Sequence, residues 1–297
     1  MNRTTEGSPN PGSTVTVAPS GAAAITRRDL HFAIDDVDLK HWHGDGTSVS
    51  QFYNAMSLFF PEGEQFFIDS VRHYRERITD PALLADIKGF IGQEAMHGRE
   101  HRAYNARLAE QGYDAELLEA RALSLLNFAR QHLPPIHHLA ATIALEHFTA
   151  ILADVLLREP RLAAGADPRM AALWRWHAVE ETEHKAVAFD VFRAITRGSV
   201  RGYVLRCTVM VSVSIRFLWQ TARTHYHLIR QDGEHRSLRG WLRLMNHLWG
   251  RPGLLRRIVL PWLAYFRPGF HPWQHDNRAL LEGWQPVSVA RNLPRAA

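Results

Sequence analysis

Residues 176–192 read WHAVEETEHKAVAFDVF, and residues 92–101 read GQEAMHGREH. Each carries Glu-x-x-His, from Glu94 to His97 and from Glu181 to His184. A spacing of three on a helix puts both side chains on one face, where a carboxylate and an imidazole can grip one ion. Steps of three and four extend the first pair into Leu83, Ile87, Phe90, Glu94, His97, His101, Tyr104 and Leu108. The second becomes Leu173, His177, Glu181, His184, Ala188, Val191 and Ile195. Both stripes are apolar at their ends and acid and imidazole in their middles, the pattern of helices that turn charged groups into a core. One Glu-x-x-His is common by chance on a solvated face; two on apolar stripes are not.

Two further apolar stripes each carry one carboxylate. They are Leu139, Ile143, Glu146, Ala150, Ala153 and Leu157, and Glu64, Phe67, Val71, Tyr74 and Ile78. Glu62 competes with Glu64 for its position, and Glu180 and Glu183 compete with Glu181. The chain order is Glu64, Glu94-x-x-His97, Glu146, Glu181-x-x-His184, the ligand inventory of carboxylate-bridged dinuclear bundles. Four carboxylates in an apolar interior would repel one another and cost several kcal/mol each to bury, which two divalent cations would offset. Oxygen and nitrogen donors without thiolate suit iron or manganese, with zinc also compatible. His101 and His177 lie one turn from the motifs, toward the same end of the centre if the two helices run antiparallel. Either is a candidate further ligand, or a catalytic hydrogen-bond partner to substrate, or a satisfied core histidine. Asp154 and Asp190 are candidate outer partners, Tyr74, Phe90 and Tyr104 candidate aromatic walls, and the remaining histidines, among them His132, His137 and His138, read as surface or loop positions.

The periodicity predicts helices over 61–78, 82–111, 136–158, 168–197 and 199–230, with a shorter one inside the connection 113–135 and a Trp/Pro/Arg-rich region over 240–285. Pro81, Pro134, Pro135, Pro160 and Gly198 punctuate them. The fold expected is all-α, a ferritin-like four-helix bundle with additional C-terminal helices, its long middle connection traversing the bundle. Residues 1–28 read as a flexible Ser/Thr/Pro/Gly tail, 29–235 as the metal-binding helical domain and 236–297 as an extension packed on it.

At 297 residues and 46% hydrophobic the chain can bury a large core. The single Cys207 excludes an intramolecular disulfide and a thiolate metal site, which suits the cytoplasm. No signal-peptide core is present. The charge of +5 and pI near 9.6 reflect arginines interleaved with aromatics after residue 193. Arg stems covering apolar surface account for these first, with contact to anionic lipid, an acidic substrate or a second subunit of a homodimer as the sharper readings. No nucleic-acid-binding motif accompanies the charge. Arg201, Arg206 and Arg216 in the apolar run after Val200 favour a buried or interfacial helix over a membrane span.

PEGEQFF (61–67), GQEAMHGREH (92–101), ALEHF (144–148), WHAVEETEHKAVAFDVF (176–192) and YFRPGFHPW (265–273) resemble a bacterial family filed as predicted metal-dependent hydrolases, over about residues 30–285. The name of that family implies hydrolysis. His177-x-x-x-Glu181-x-x-His184 also resembles the last metal-binding helix of di-iron arylamine N-oxygenases, where an extra histidine joins the iron site. The leading expectation is therefore a di-iron oxidase or oxygenase that oxidises a small apolar or amphipathic substrate and draws on an electron donor. A dinuclear hydrolase is the first alternative, and a non-catalytic metal-binding or storage protein the second.

Overall fold

The computed structural model describes residues 23–282, Trp284 and the backbone of residues 290–292. The described residues form eleven α-helices: α1 (Thr47–Ser57), α2 (Phe60–Tyr74), α3 (Pro81–Glu110), α4 (Ala115–His132), α5 (Pro135–Arg158), α6 (Pro168–His184), α7 (Val187–Thr196), α8 (Val200–Gln231), α9 (Leu238–Trp249), α10 (Leu254–Ala264) and α11 (Ala279–Glu282). One short antiparallel pair, β1 (Leu30–Phe32) with β2 (Ala290–Asn292), ties the two ends of the described chain together. The protein is all-α.

Local chemistry sets the helix starts. Asp80 and Asp167 accept from Ala82 and Arg169 backbone N–H ahead of Pro81 and Pro168, and Ser199 and Ser237 do the same for Gly202 and Gly240. Each such cap stabilises its helix by about 1 kcal/mol, and proline at the first position loses no bond. After α3 the chain turns at Gly112, whose φ of 88° a side chain would strain.

α2 packs on α3 and α5, and α6 packs on α5 and α3, so the four stripes meet; α7 closes the same interior. α4 contacts α2, α3 and α5 between them, as the long middle connection requires. α8 lies along α5 and α1, α9 on α1, and α10 on α5 and α9.

Four features differ from the sequence reading. The helix expected over 168–197 is interrupted immediately after His184, where buried Lys185 turns aside to donate to the His275 carbonyl and Asn277 and to sit over the Trp273 ring. No proline or glycine marks the break. α1 falls in a stretch for which no helix was expected. The tail expected over 1–28 ends earlier: Ile25 packs into the core, and Thr26 and Arg28 are hydrogen-bonded to α6, while residues 1–22 lie outside the described residues.

The fourth difference concerns the histidines. His43, His147, His225 and His247 are buried, contrary to their reading as surface or loop positions. His147 holds the Pro261 carbonyl and His225 the Ser48 carbonyl, so each fastens one helix to another. Burial pushes both rings down to about 4. An unfolded histidine titrates near 6.5, so between these values the unfolded chain binds the extra proton and stability falls as pH falls. His225→Gln is expected to lose about 2 kcal/mol less than the parent between pH 7 and 4.5, measured by denaturant melts. An unchanged pH slope would show that His225 is not held neutral.

Candidate metal centre

Glu64 from α2, Glu94 and His97 from α3, Glu146 from α5, and Glu181 and His184 from α6 converge in one interior, all 2% exposed or less. Their donor atoms, with those of His101 and His177, fall into overlapping groups lying within 4.8 Å of one another: Glu64, Glu94 and His97; Glu94, Glu146 and His184; His97, His177 and Glu181; and Glu64, His101 and His177. Glu94 belongs to two of these. Glu181 also spans them, since Oε1 lies 3.0 Å from His177 Nε2 and 3.7 Å from His97 Nδ1, whereas Oε2 lies 3.6 Å from His184 Nε2. The groups form one continuous cluster, with Glu64 and His97 toward one side, Glu146 and His184 toward the other, and Glu94 and Glu181 between.

The hydrogen bonds assign the imidazole protons. His97 donates from Nε2 to Glu180, 3.1 Å away, which leaves the Nδ1 lone pair facing the carboxylates. His184 donates from Nδ1 to the Gln93 side-chain oxygen at 2.8 Å, and the Gln93 amide donates onward to Glu183 and the Thr26 carbonyl. That leaves His184 Nε2 free. Ser57 donates to Asn105 and so accepts from His101 Nδ1; His101 Nε2 then accepts from His177 Nδ1 at 2.8 Å, leaving His177 Nε2 aimed at Glu181. Three imidazole lone pairs therefore point at carboxylate oxygens, an arrangement that a cation between them resolves.

Both oxygens of Glu64, Glu94 and Glu146, Oε2 of Glu181, Nδ1 of His97 and Nε2 of His184 are buried without a hydrogen-bond partner. Burial first, then the nearby Glu94 and Glu181, pushes Glu64 and Glu146 well above the usual carboxylate range. Burial pushes His97 and His101 well down, with His177 adding to it. Burial works against the ionised forms of Glu181 and His184 as well, but their mutual attraction overrides it, holding Glu181 low and His184 high. With no metal, this interior must hold protons where cations would sit. The donor set fits divalent ions.

Of the two extra histidines, His177 faces the carboxylates and stacks 4.1 Å from His97, while His101 backs it through the Ser57 bond. Phe60 closes over both rings. Phe90 lies edge-on to His184 and Tyr104 beside His101, as walls. Tyr74 is no wall: it pairs with His73 and Arg77. Asp154 and Asp190 are not outer partners either, since they hold Arg158, His275 and Asn277, and His271. Both anchor the C-terminal segment.

The outer partners lie elsewhere. Glu180 accepts from His97, the Trp176 indole and Arg28; burial lifts its carboxyl to about 8, but three converging donors, one a guanidinium, suit the ionised form. Arg28 also forks onto Glu183 at 2.6 and 2.9 Å. One cation thus steadies the acids behind both His97 and His184. Gln93 and Glu180 each precede a motif glutamate by one position; Gln93 has no other mark in the sequence, and Glu180, a competitor for the place of Glu181, stands behind His97 instead.

Fold and centre define an all-α protein with a buried glutamate–histidine cluster able to hold metal. The chain belongs to the family described as predicted metal-dependent hydrolases, whose model matches residues 26–276. No curated protein and no solved structure matches it.

Proposed function

We propose that this chain is a metal-dependent enzyme of ferritin-like architecture, whose two adjacent cation positions act on an apolar or amphipathic small molecule by hydrolysis. The observation that carries the metal reading is the set of three imidazole lone pairs fixed toward buried carboxylates whose oxygens, Glu181 Oε1 apart, have no hydrogen-bond partner. Hydrolysis is what the family description names. Divalent ions held there would supply Lewis-acid polarisation and a lowered pKa for coordinated water.

The chain's own part begins with position. A cavity of about 410 Å³ runs from exposed Phe128, Leu133 and Arg216 to buried Phe60, Phe67 and Glu64. That size suits a drug-sized or single-chain ligand, and its nearly all-apolar wall favours an acyl or alkyl chain. Phe60, Thr149 and Phe217 line both it and a smaller space of about 50 Å³ beside His177 and Glu181, with room only for water-sized molecules. An acyl chain in the cavity brings its reacting end to Glu64 and excludes bulk water. His101 holds His177 with its lone pair inward, and the Trp176–Glu180–Arg28 and Gln93–Glu183 bonds fix His97 and His184.

A second reading, O2-dependent oxidation on two irons with an external electron donor, is favoured by the donor set itself, two Glu and two Glu-x-x-His with no thiolate. Loading the metal-free protein with zinc, manganese or, anaerobically, ferrous iron separates the two. Hydrolysis predicts metal-dependent cleavage of p-nitrophenyl acyl esters without oxygen, faster for medium chains than for acetate. Oxygen uptake that needs iron and a reductant, with no ester cleavage, would establish the second reading instead; iron uptake without turnover would leave a storage protein.

A further inference from the structure

Seventeen large hydrophobic side chains are exposed among the described residues, and fourteen of them lie between Val200 and Leu263. They are not scattered. On α8 they recur at Val200, Val204, Val211, Ile215 and Leu218, the spacing of one helix face, and on α9 at Leu238, Leu242, Met245 and Trp249. The opposite faces are seated on the protein: Met210 and Leu228 of α8, and Leu244 and Leu248 of α9, are buried. Trp262 of α10 donates to Ser214, and the His225 and Trp241 rings meet at 5.6 Å, so the three helices present these stripes from adjoining positions. Leu260, on α10, is 75% exposed.

The same segment, 200–264, holds eleven arginines and no lysine, against Asp232 and Glu234 alone among acids. Arg201, Arg216, Arg223, Arg239 and Arg243 are exposed or nearly so and carry no ion pair among the described residues. An apolar stripe edged by unpaired arginines, with Trp219 67% exposed, matches the chemistry of an anionic bilayer surface, where alkyl groups enter the headgroup boundary and guanidiniums meet phosphate. α8 is long and apolar enough to cross a membrane, but its buried face binds α5 and α1, and arginines flank its apolar stripe along its length. Lying on the surface satisfies both facts.

We propose that α8, α9 and α10 form a docking face for membranes rich in anionic lipid, independent of what the metal centre does. The test uses the full chain, with cosedimentation and tryptophan emission on phosphatidylglycerol/phosphatidylcholine vesicles and on pure phosphatidylcholine. The expected result is binding about tenfold tighter to the anionic vesicles, a blue-shifted emission, and weakening at high salt. Ile215→Glu with Leu242→Glu should abolish binding while circular dichroism is preserved, and Arg239→Glu with Arg243→Glu should weaken it without touching the stripe. Failure to bind anionic vesicles overturns the proposal. So does binding that survives the Ile215/Leu242 pair, or a stable dimer in light scattering that the same pair dissolves, which would make a second copy of the chain the occupant.

Discussion

Glu94→Ala and Glu181→Ala should each yield a folded, helical protein that retains less than half the parent's metal, measured by elemental analysis after exhaustive dialysis. Each glutamate stands between the two proposed cation positions, Glu94 by membership of two donor groups and Glu181 by one oxygen toward each side. Loss of either leaves both positions short of a donor, a larger defect than the roughly 10–100-fold that loss of an outer partner costs. The fold should survive, because the metal-free interior is strained by these same carboxylates. Removing Glu94 relieves repulsion on Glu64 and Glu146, so metal-free Glu94→Ala should be no less stable than the metal-free parent, whereas Glu181→Ala also takes from His184 its ionised partner and should be the less stable of the two. Melting temperatures with and without metal separate the two effects. Full occupancy in both variants would mean that cations, if bound, sit elsewhere.

The stripes that carry these residues were legible because two signals coincide on them. Helical period fixes the face, and charge on a face otherwise apolar marks a site. His101 and His177 were legible for the same reason, but their division of labour was not, since it depends on which ring nitrogen Ser57 and its Asn105 bond leave free. The break after His184 has no local sign, because HKAVAF contains no helix breaker. What accompanies it is a tertiary bond from Lys185 to residues 275 and 277, some ninety positions on. His147 and His225 looked like surface residues because a lone histidine carries no local sign of the carbonyl it will meet. Asp154 and Asp190 were misplaced for the converse reason, their partners lying in a C-terminal segment whose path has no period to follow.

Arg28 is the sharpest case, and its removal carries the second large expected effect. Low-complexity sequence precedes it, yet its guanidinium, 19% exposed, bonds Glu180 and Glu183, the first behind His97 and the second behind the Gln93 that holds His184. Arg28→Met keeps the stem and removes the cation, leaving two buried acids to repel each other. Glu180 would then take up a proton and cease to orient His97, while Gln93 would lose a charged anchor. Metal affinity, read by competition with a chromophoric chelator, should fall about 10–100-fold with helicity unchanged. Arg28→Lys should recover only part of it, because one ammonium cannot reproduce the fork onto Glu183 together with the bond to Glu180. If Arg28→Met binds metal as tightly as the parent, the orientation of both histidines must come from packing of Trp176 and Phe90 against their rings, and the N-terminal strand would serve only to cover the core.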